Sequence, residues 1–295
     1  MELRLIEYAI AVADHGGFSR AAEALYVSQP SVSQGVRSLE RELGVELFHR
    51  LGRSVLPTSA GEAFLESARR IVRDVQSARE AAAAVAGLRS GRLDLAALPT
   101  LAADPLAPLV GAFRREFPGV SVRILQPEVG RSADALVRSG RAELGLSEVP
   151  VEDEDLVSEP VLVQELLAVC PPGFTLPPAG RIAVGRLRDL PIVTGPPGTS
   201  TRRLLERAFA AASARALVAV ETDEREAILP LVLAGAGATL LPAPQAEDAA
   251  RRGAVVAPLR PRVRRTIGLV FRRAPLSPAA REFVRIVRRS YGRRG

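Results

Sequence analysis

The feature that most limits how this chain can fold is a helix-periodic run in its first third. Ser59 and Glu62 stand at capping-box spacing, and from there the sequence reads as one helix to about Ala86, with Gly87 as its stop. Phe64, Ala68, Ile71, Val75, Ala78, Ala82 and Val85 alternate four and three apart, a heptad seam over three repeats. Such a helix spans about 40 Å, and a narrow apolar stripe on so long a rod must be buried against something. A second copy of the same helix is the simplest partner; the segment preceding it is the alternative. The many alanines in the seam predict close approach. The helix divides the chain into a short unit, 1–58, a linker, 59–90, and a large unit, 91–295, in keeping with a length that suits two or three domains.

In the short unit, Leu3, Ile6, Ile10 and Ala13 mark a first helix that ends near Gly16-Gly17, and Ser19 is placed to cap a second with Ala21, Ala22 and Leu25 inward. Tyr26-Val27 turns into Ser28-Gln29-Pro30. Ser28 is a good N-cap there, and Pro30 falls in the first turn, where its missing N–H costs nothing. Val32, Val36, Leu39 and Leu43 then form one stripe, Ser31, Gln34, Arg37, Ser38 and Arg41 the opposite face, and Gly44 the close. A helix-turn-helix needs this arrangement, because Gln and Arg near the start of its second helix make two-pronged contacts to base edges. An ordinary helical hairpin with a solvated face fits the same pattern. After the anchor Val45-Glu46-Leu47-Phe48, residues 49–57 read as a hairpin turning at Gly52. Arg50 and Arg53 flank that turn, placed either as a wing for phosphates or the minor groove or simply in solvent.

Net charge does not support nucleic-acid binding, although the total is +7. Residues 1–58 hold six Arg against seven acids, whereas residues 256–295 hold twelve Arg against Glu282 alone. That Arg-rich end reads as a solvated helix face, with an interface for DNA or RNA polymerase as the alternative. All 40 basic residues are Arg, so a Schiff-base lysine and a phosphate-loop lysine are excluded. The two histidines, His15 and His49, precede residue 59, which excludes a Ser-His or Cys-His couple in the large unit. With one cysteine, Cys170, there is neither a His/Cys metal cluster nor an internal disulfide. A buried, inert thiol and a reducing cytoplasm are expected. No metal, cofactor or enzymatic activity is expected. Nor is a membrane span, since the most apolar stretch, Ile228 to Pro244, is broken by Pro230, Gly235, Gly237 and Pro242. The absence of a signal peptide-like start argues against an exported solute-binding protein.

The large unit reads as strand 93–98, a helix with Leu106, Leu109, Val110, Phe113 and Phe117 inward, strand 120–125, helix 131–139 and strand 142–147. This β-α-β-α-β order predicts a parallel sheet with crossover helices. The theme returns after strand 161–169, with strand 191–194, helix 200–212, strand 216–220, helix 224–235 and strand 238–241. Strand 267–271 and helix 278–290 finish the chain.

Several runs together resemble the LysR-type transcriptional regulators: Phe18-Ser19-Arg20-Ala21-Ala22-Glu23-Ala24-Leu25, then Val27-Ser28-Gln29-Pro30-Ser31-Val32-Ser33. Leu39-Glu40 with Leu43-Gly44, Leu47-Phe48 and Arg50 follows, then Thr58 with Ala60-Gly61. The match is ordered and gap-free over about 60 residues. It implies an α/β protein with an all-α winged helix-turn-helix at its start and a periplasmic-binding-protein-like effector domain of two subdomains. Those would comprise residues 91–162 with 268–295, and residues 163–267. By position, Ser28, Gln29, Pro30, Ser31, Ser33, Gln34 and Arg37 resemble the family's groove-facing residues, and Arg50 and Arg53 its wing contacts. The resemblance also implies double-stranded DNA and a small-molecule effector as partners, and a homodimer or homotetramer. In the large unit the clearest likeness is Glu221 followed by Leu233-Ala234-Gly235-Ala236-Gly237-Ala238; Glu143 and Leu144 depart from the family's usual acidic pattern. Gly35 stands where the family carries a longer polar residue, altering the base-contacting set, and Ala9 replaces a common core aromatic.

Ligands of open α/β sheets bind beyond the strand C-termini. This points to Pro99, Thr100 and Leu101, to Gln126 and Glu128, to Ser147 and Glu148, and to Gly198, Thr199, Ser200 and Thr201. The last group opens a helix, whose free N–H groups suit an anion, and a carboxylate-bearing metabolite is the expected ligand. A loop or N-cap without a ligand is the alternative for each.

Overall fold

The computed structural model describes residues 1–51, 54–84, 91–127 and 132–292. Three helices open the chain: α1 (Leu3–His15), α2 (Phe18–Leu25) and α3 (Gln29–Leu43). Their shared core contains Tyr8, Val12, Ala22, Val36, Leu39 and Phe48. Full burial of Val36 and Leu39 contributes about 1.5–3 kcal/mol each. The start of α2 differs from expectation. Gly17 holds the N-cap position with no side-chain cap, so Ser19 lies within the helix.

A hairpin follows, β1 (Phe48–Leu51) against β2 (Ser54–Pro57), with Phe48 opposite Pro57 and Leu51 opposite Ser54. The expected turn at Gly52 lies outside the described residues. The long helix α4 (Ser59–Ala84) begins where its sequence predicts, but Thr58 caps it: Thr58 Oγ1 accepts from the Gly61 N–H at 2.9 Å. The N-cap therefore lies one residue before the Ser59 read from the sequence, and with Gly61 three residues on there is no reciprocal Glu bond of a capping box. The seam divides its loyalties. Leu65 lies in the amino-terminal core with Phe64 packed against it and Ala68 is fully buried, while Ile71 is 39% exposed and Ala78 is exposed. The first turns of α4 thus pack on the preceding helices, and the seam opens at Ile71 and Ala78 with Val75 half-buried between them. Val85 and the stop at Gly87 lie outside the described residues.

The large unit begins with three strands, β3 (Gly91–Ala97), β4 (Val120–Leu125) and β5 (Leu144–Glu148). They pair in parallel in the order β5-β3-β4. The single turn α5 (Pro99–Leu101) follows β3, and α6 (Ala107–Glu116) and α7 (Ala133–Arg138) provide the crossovers. After β6 (Leu156–Cys170) and the short β7 (Ile182–Ala183), a second parallel pair appears: β8 (Pro191–Thr194) and β9 (Leu217–Glu221), joined through α8 (Ser200–Ala211). The chain closes with α9 (Ile228–Leu233), β10 (Thr239–Pro242), α10 (Ala243–Arg251), β11 (Val255–Arg272) and α11 (Pro278–Tyr291).

Strands β6 and β11 run antiparallel beside each other for most of their length and serve two cores. Ile267 and Leu269 join the first, around Leu93, Leu95, Phe113, Leu144 and Phe283. Ala168, Ala257 and Leu259 join the second, around Leu187, Ile192, Phe209 and Leu240. The large unit is thus an α/β fold of two lobes crossed by two strands. The two crossing strands are 15 and 18 residues long, longer than their alternation suggests. The pairing shifts between Pro258 and Val263, and the arginines of 260–265 hide the inward positions. The unexpected α10 buries only Ala246 and Ala249, too faint a stripe to read.

Candidate nucleic-acid interface and ligand cleft

The start of α3 is fixed by its cap. Ser28 Oγ accepts from the Ser31 N–H at 3.3 Å and lies 2.7 Å from Ser31 Oγ, which satisfies one of the free N–H groups of the first turn. Val32, Val36 and Leu39 point into the core. The opposite side presents Gln29, Pro30, Ser31, Gln34 and Arg37 to solvent, with Ser33 half-buried. Gln29, Ser33, Gln34 and Arg37 line one concave face, which Arg41 extends; Arg41 also donates through Nε to the Arg37 carbonyl at 3.3 Å. Both ends of the predicted contact run therefore share a single helix face, open and rich in donors.

Gly35 belongs elsewhere. It is buried, and a Cβ there would come within 2.6 Å of Tyr8 Cδ2. The residue therefore answers to the packing of α1 on α3 and takes no part in the solvent-facing set. The close approach of Tyr8 is what a longer side chain would prevent.

The hairpin is tied to α3 and α4 by three contacts. Glu40 accepts from the Leu47 N–H at 2.9 Å, Thr58 Oγ1 donates to the Glu46 carbonyl at 2.7 Å, and the Thr58 N–H reaches the Leu47 carbonyl at 2.9 Å. A Cβ at Gly61 would lie 2.0 Å from that carbonyl. Thr58 and Gly61 thus fix the hairpin against the helices. The backbone of Arg50 pairs with Val55, and Arg53 lies outside the described residues.

In the large unit, loops following β3, β4, β8 and β9 converge on a cavity of about 180 Å³ between the lobes. Of the residues predicted for a ligand, Pro99, Gln126, Gly198, Thr199, Ser200 and Thr201 all line it. Thr199 caps α8, its Oγ1 accepting from the Arg202 N–H at 3.3 Å, so the open end of a helix faces the space. Four of the expected residues do not line that cavity. Leu101 is fully buried in the first core. Thr100 is 1% exposed and faces inward, its Oγ1 accepting from Arg265 at 3.3 Å and its carbonyl from Gln245 Nε2 at 3.2 Å. Glu148 is engaged by Arg207 in a two-bond fork at 2.8 and 2.7 Å, and the neighbouring Ser147 donates to Asp134 at 3.1 Å. Glu128 lies outside the described residues.

Two arginines at the cleft escaped the sequence reading. Arg225 lines the cavity and donates to Thr201 Oγ1 at 3.0 Å; burial lowers its pKa. Arg265, 4% exposed, donates to Gln164 Oε1 at 2.8 Å, and burial pushes its guanidinium down to about 10. Among the described residues neither has a carboxylate as ion-pair partner, and Gln164 Nε2 and Gln245 Oε1 are buried without a hydrogen bond. Asp223 also lines the cavity and Glu148 acts on Arg265 through space, but two partly desolvated cations without a direct ion pair still favour an anion. Arg265 was hidden in an Arg-rich run, where only the register of β11 marks it as inward.

Comparison with known proteins matches residues 3–62 to a family model described as bacterial regulatory helix-turn-helix protein, lysR family. Residues 86–292 match one described as LysR substrate binding domain. The transcriptional activator CmpR of Synechocystis is 29% identical over 242 residues, covering 81% of this chain and 78% of that protein. The transcriptional dual regulator OxyR of Escherichia coli is 30% identical over 280 residues, covering 94% and 91%. Among solved structures, a full-length OxyR variant from Pseudomonas aeruginosa superposes with a TM-score of 0.78 at 25% identity, covering 98% of this chain and 95% of that one. Full-length CbnR bound to its target DNA gives 0.65 at 26% identity, covering 98% and 100%.

Proposed function

Since the chain belongs to the LysR family of transcriptional regulators, joining a DNA-binding head to a substrate-binding domain, we propose that it reads a specific duplex with the exposed face of α3 and answers to a small carboxylate. Gln29, Ser33, Gln34 and Arg37 reach base edges in the major groove. Ser28, Pro30 and Ser31 set the depth of the helix start, while Arg50 and Arg53 follow the backbone beside it. The single observation that carries the DNA reading is the open placement of Gln34 and Arg37 on one face of a helix whose other side packs Val32, Val36 and Leu39 into the core.

The effector reading rests on the cleft. A carboxylate in the 180 Å³ cavity meets the free N–H groups at the start of α8 and Arg225, which has no ion pair among the described residues, with Arg265 behind. Both relatives named above are regulators, and other relatives carry the name hydrogen peroxide-inducible genes activator. Peroxide sensing through a thiolate is disfavoured in this chain. Cys170 is its one cysteine; it is buried, and burial pushes its pKa up to about 11, so the reactive thiolate is scarce at neutral pH.

The head is assigned to residues 1–58, the linker to 59–90 and the effector domain to 91–295. The open part of the α4 seam, at Ile71 and Ala78, pairs with the same helix of a second copy and sets the separation of two heads. Effector domains then join dimers into a tetramer, and the protein works in the cytoplasm as a non-enzymatic regulator. An effector acts by preferring one arrangement of the lobes; equal affinity for both would shift nothing. Calorimetric titration with a panel of small mono- and dicarboxylates tests this. Binding that is weakened about tenfold or more by Arg225→Gln supports it. No binding across the panel would remove the carboxylate reading and leave the DNA reading intact.

A further inference from the structure

A second cavity, of about 520 Å³, opens where α1, α4 and the β3–β4 edge of the large unit meet. It is distinct from the cleft between the lobes, and its walls are strongly basic. Five arginines and three carboxylates line it, and most of the acids are already committed. Asp14 accepts from Arg69 Nη2 at 2.6 Å. Asp94 accepts from Arg92 Nε at 2.8 Å. Glu143 holds the start of α11, accepting from the Ser277 N–H at 2.7 Å and its hydroxyl at 2.9 Å.

The cations are less well matched. Arg73 spans from α4 to the Gly140 carbonyl, which accepts from its Nε at 3.2 Å, while its nearest carboxylate, Asp94, stands at 3.9 Å. Arg69 Nε is buried with no hydrogen-bond partner. Arg123 and Arg141, which face the cavity from the large unit, have no ion pair among the described residues. The balance is an excess of two positive charges, with guanidinium donors arriving from two directions.

We propose that this junction is a binding site for a phosphate-bearing metabolite. A phosphate monoester carries close to two negative charges at neutral pH and three strong acceptor oxygens, which suits planar guanidinium forks. The ligand touches α1 of the reading head, the linker helix and the effector sheet at once. It therefore fixes the head relative to the large unit, and by linkage the anion and the DNA alter each other's affinity by the same factor.

The test is calorimetric titration of the full chain with inorganic pyrophosphate, with succinate as a carboxylate control. The expected result is saturable pyrophosphate binding that Arg123→Gln/Arg141→Gln weakens about tenfold or more, that Arg123→Gln alone weakens by a smaller factor, and that Arg225→Gln and Arg37→Ala leave unchanged. Arg123 is exposed and Arg141 only half-buried, so both variants are expected to keep the parent melting curve. Absence of pyrophosphate binding overturns the proposal, as does a double variant that binds like the parent. Loss in Arg225→Gln or Arg37→Ala instead would place the anion in the cleft or on α3 and also overturn it. Because Arg225 serves only the cleft, failure here leaves the effector reading untouched.

Discussion

The carboxylate of Glu148 accepts both arms of the Arg207 guanidinium, at 2.8 and 2.7 Å, tying the end of β5 in one lobe to α8 in the other. The hydrogen bonds to Glu148 raise the pKa of Arg207. The side chains are 59% and 37% exposed, so solvent screens the pair. Arg207→Gln and Glu148→Gln should each cost no more than about 1 kcal/mol of stability. In a double-mutant cycle of cleft-ligand affinity the two substitutions should be non-additive. Full additivity would show that the fork does not couple the lobes.

Gly35 gives a prediction whose sign runs against helix propensity. Alanine in a helix interior is favoured over glycine by about 0.5–1 kcal/mol, yet here its Cβ would press on the Tyr8 ring at 2.6 Å. Gly35→Ala should destabilise the protein, by about 1–3 kcal/mol for overpacking, in chemical denaturation. Tyr8→Ala in the same chain should remove most of that additional cost. A Gly35→Ala protein more stable than the parent would contradict the packing of α1 on α3.

For Cys170, burial raises the folded-state pKa from 9.0 to about 11. The folded protein therefore keeps the thiol proton longer than the unfolded chain. The stability this lends is present below pH 9 and is lost as pH climbs to about 11. At pH 8 the native thiol should resist a disulfide reagent and react at the rate of unfolding. Fast, stoichiometric labelling of native protein would show an accessible thiolate.

Ile71, 39% exposed on the open part of the α4 seam, should lie in the contact between two copies. Ile71→Glu should shift sedimentation toward smaller species while leaving the melting of the head unchanged, since α4 meets that core through Phe64 and Leu65, more than a turn earlier. An unchanged mass would place the dimer contact elsewhere.

Much of this was legible in the sequence because local and tertiary signals agreed. Ser28, Pro30 and Gly44 bound α3 with a cap, a first-turn proline and a left-handed stop, and the apolar stripe between them settled which face was free. The loops at strand ends brought Pro99, Gln126 and Thr199 to the cleft because a parallel sheet leaves its ligands nowhere else. What failed depended on distance or register. Leu101 and Thr100 follow Pro99 directly, but the single turn after β3 rotates both into the interior. Arg265 needed a partner strand to reveal its direction, since three exposed arginines, Arg260, Arg262 and Arg264, precede it in the run. Gly35 could be recognised as a packing residue only once Tyr8 was seen above it.

The claim on which the account turns is that the solvent face of α3 selects a DNA sequence. The direct measurement is selection of duplexes from the genome by the purified chain, followed by affinity measurements on the enriched sites across salt concentrations. Enrichment of a common motif is the expected result. Gln34→Ala and Arg37→Ala should each weaken binding to that motif by about 1–3 kcal/mol, with far less effect on random duplex. Enrichment of no motif, or parent-like affinity in both variants, would contradict it.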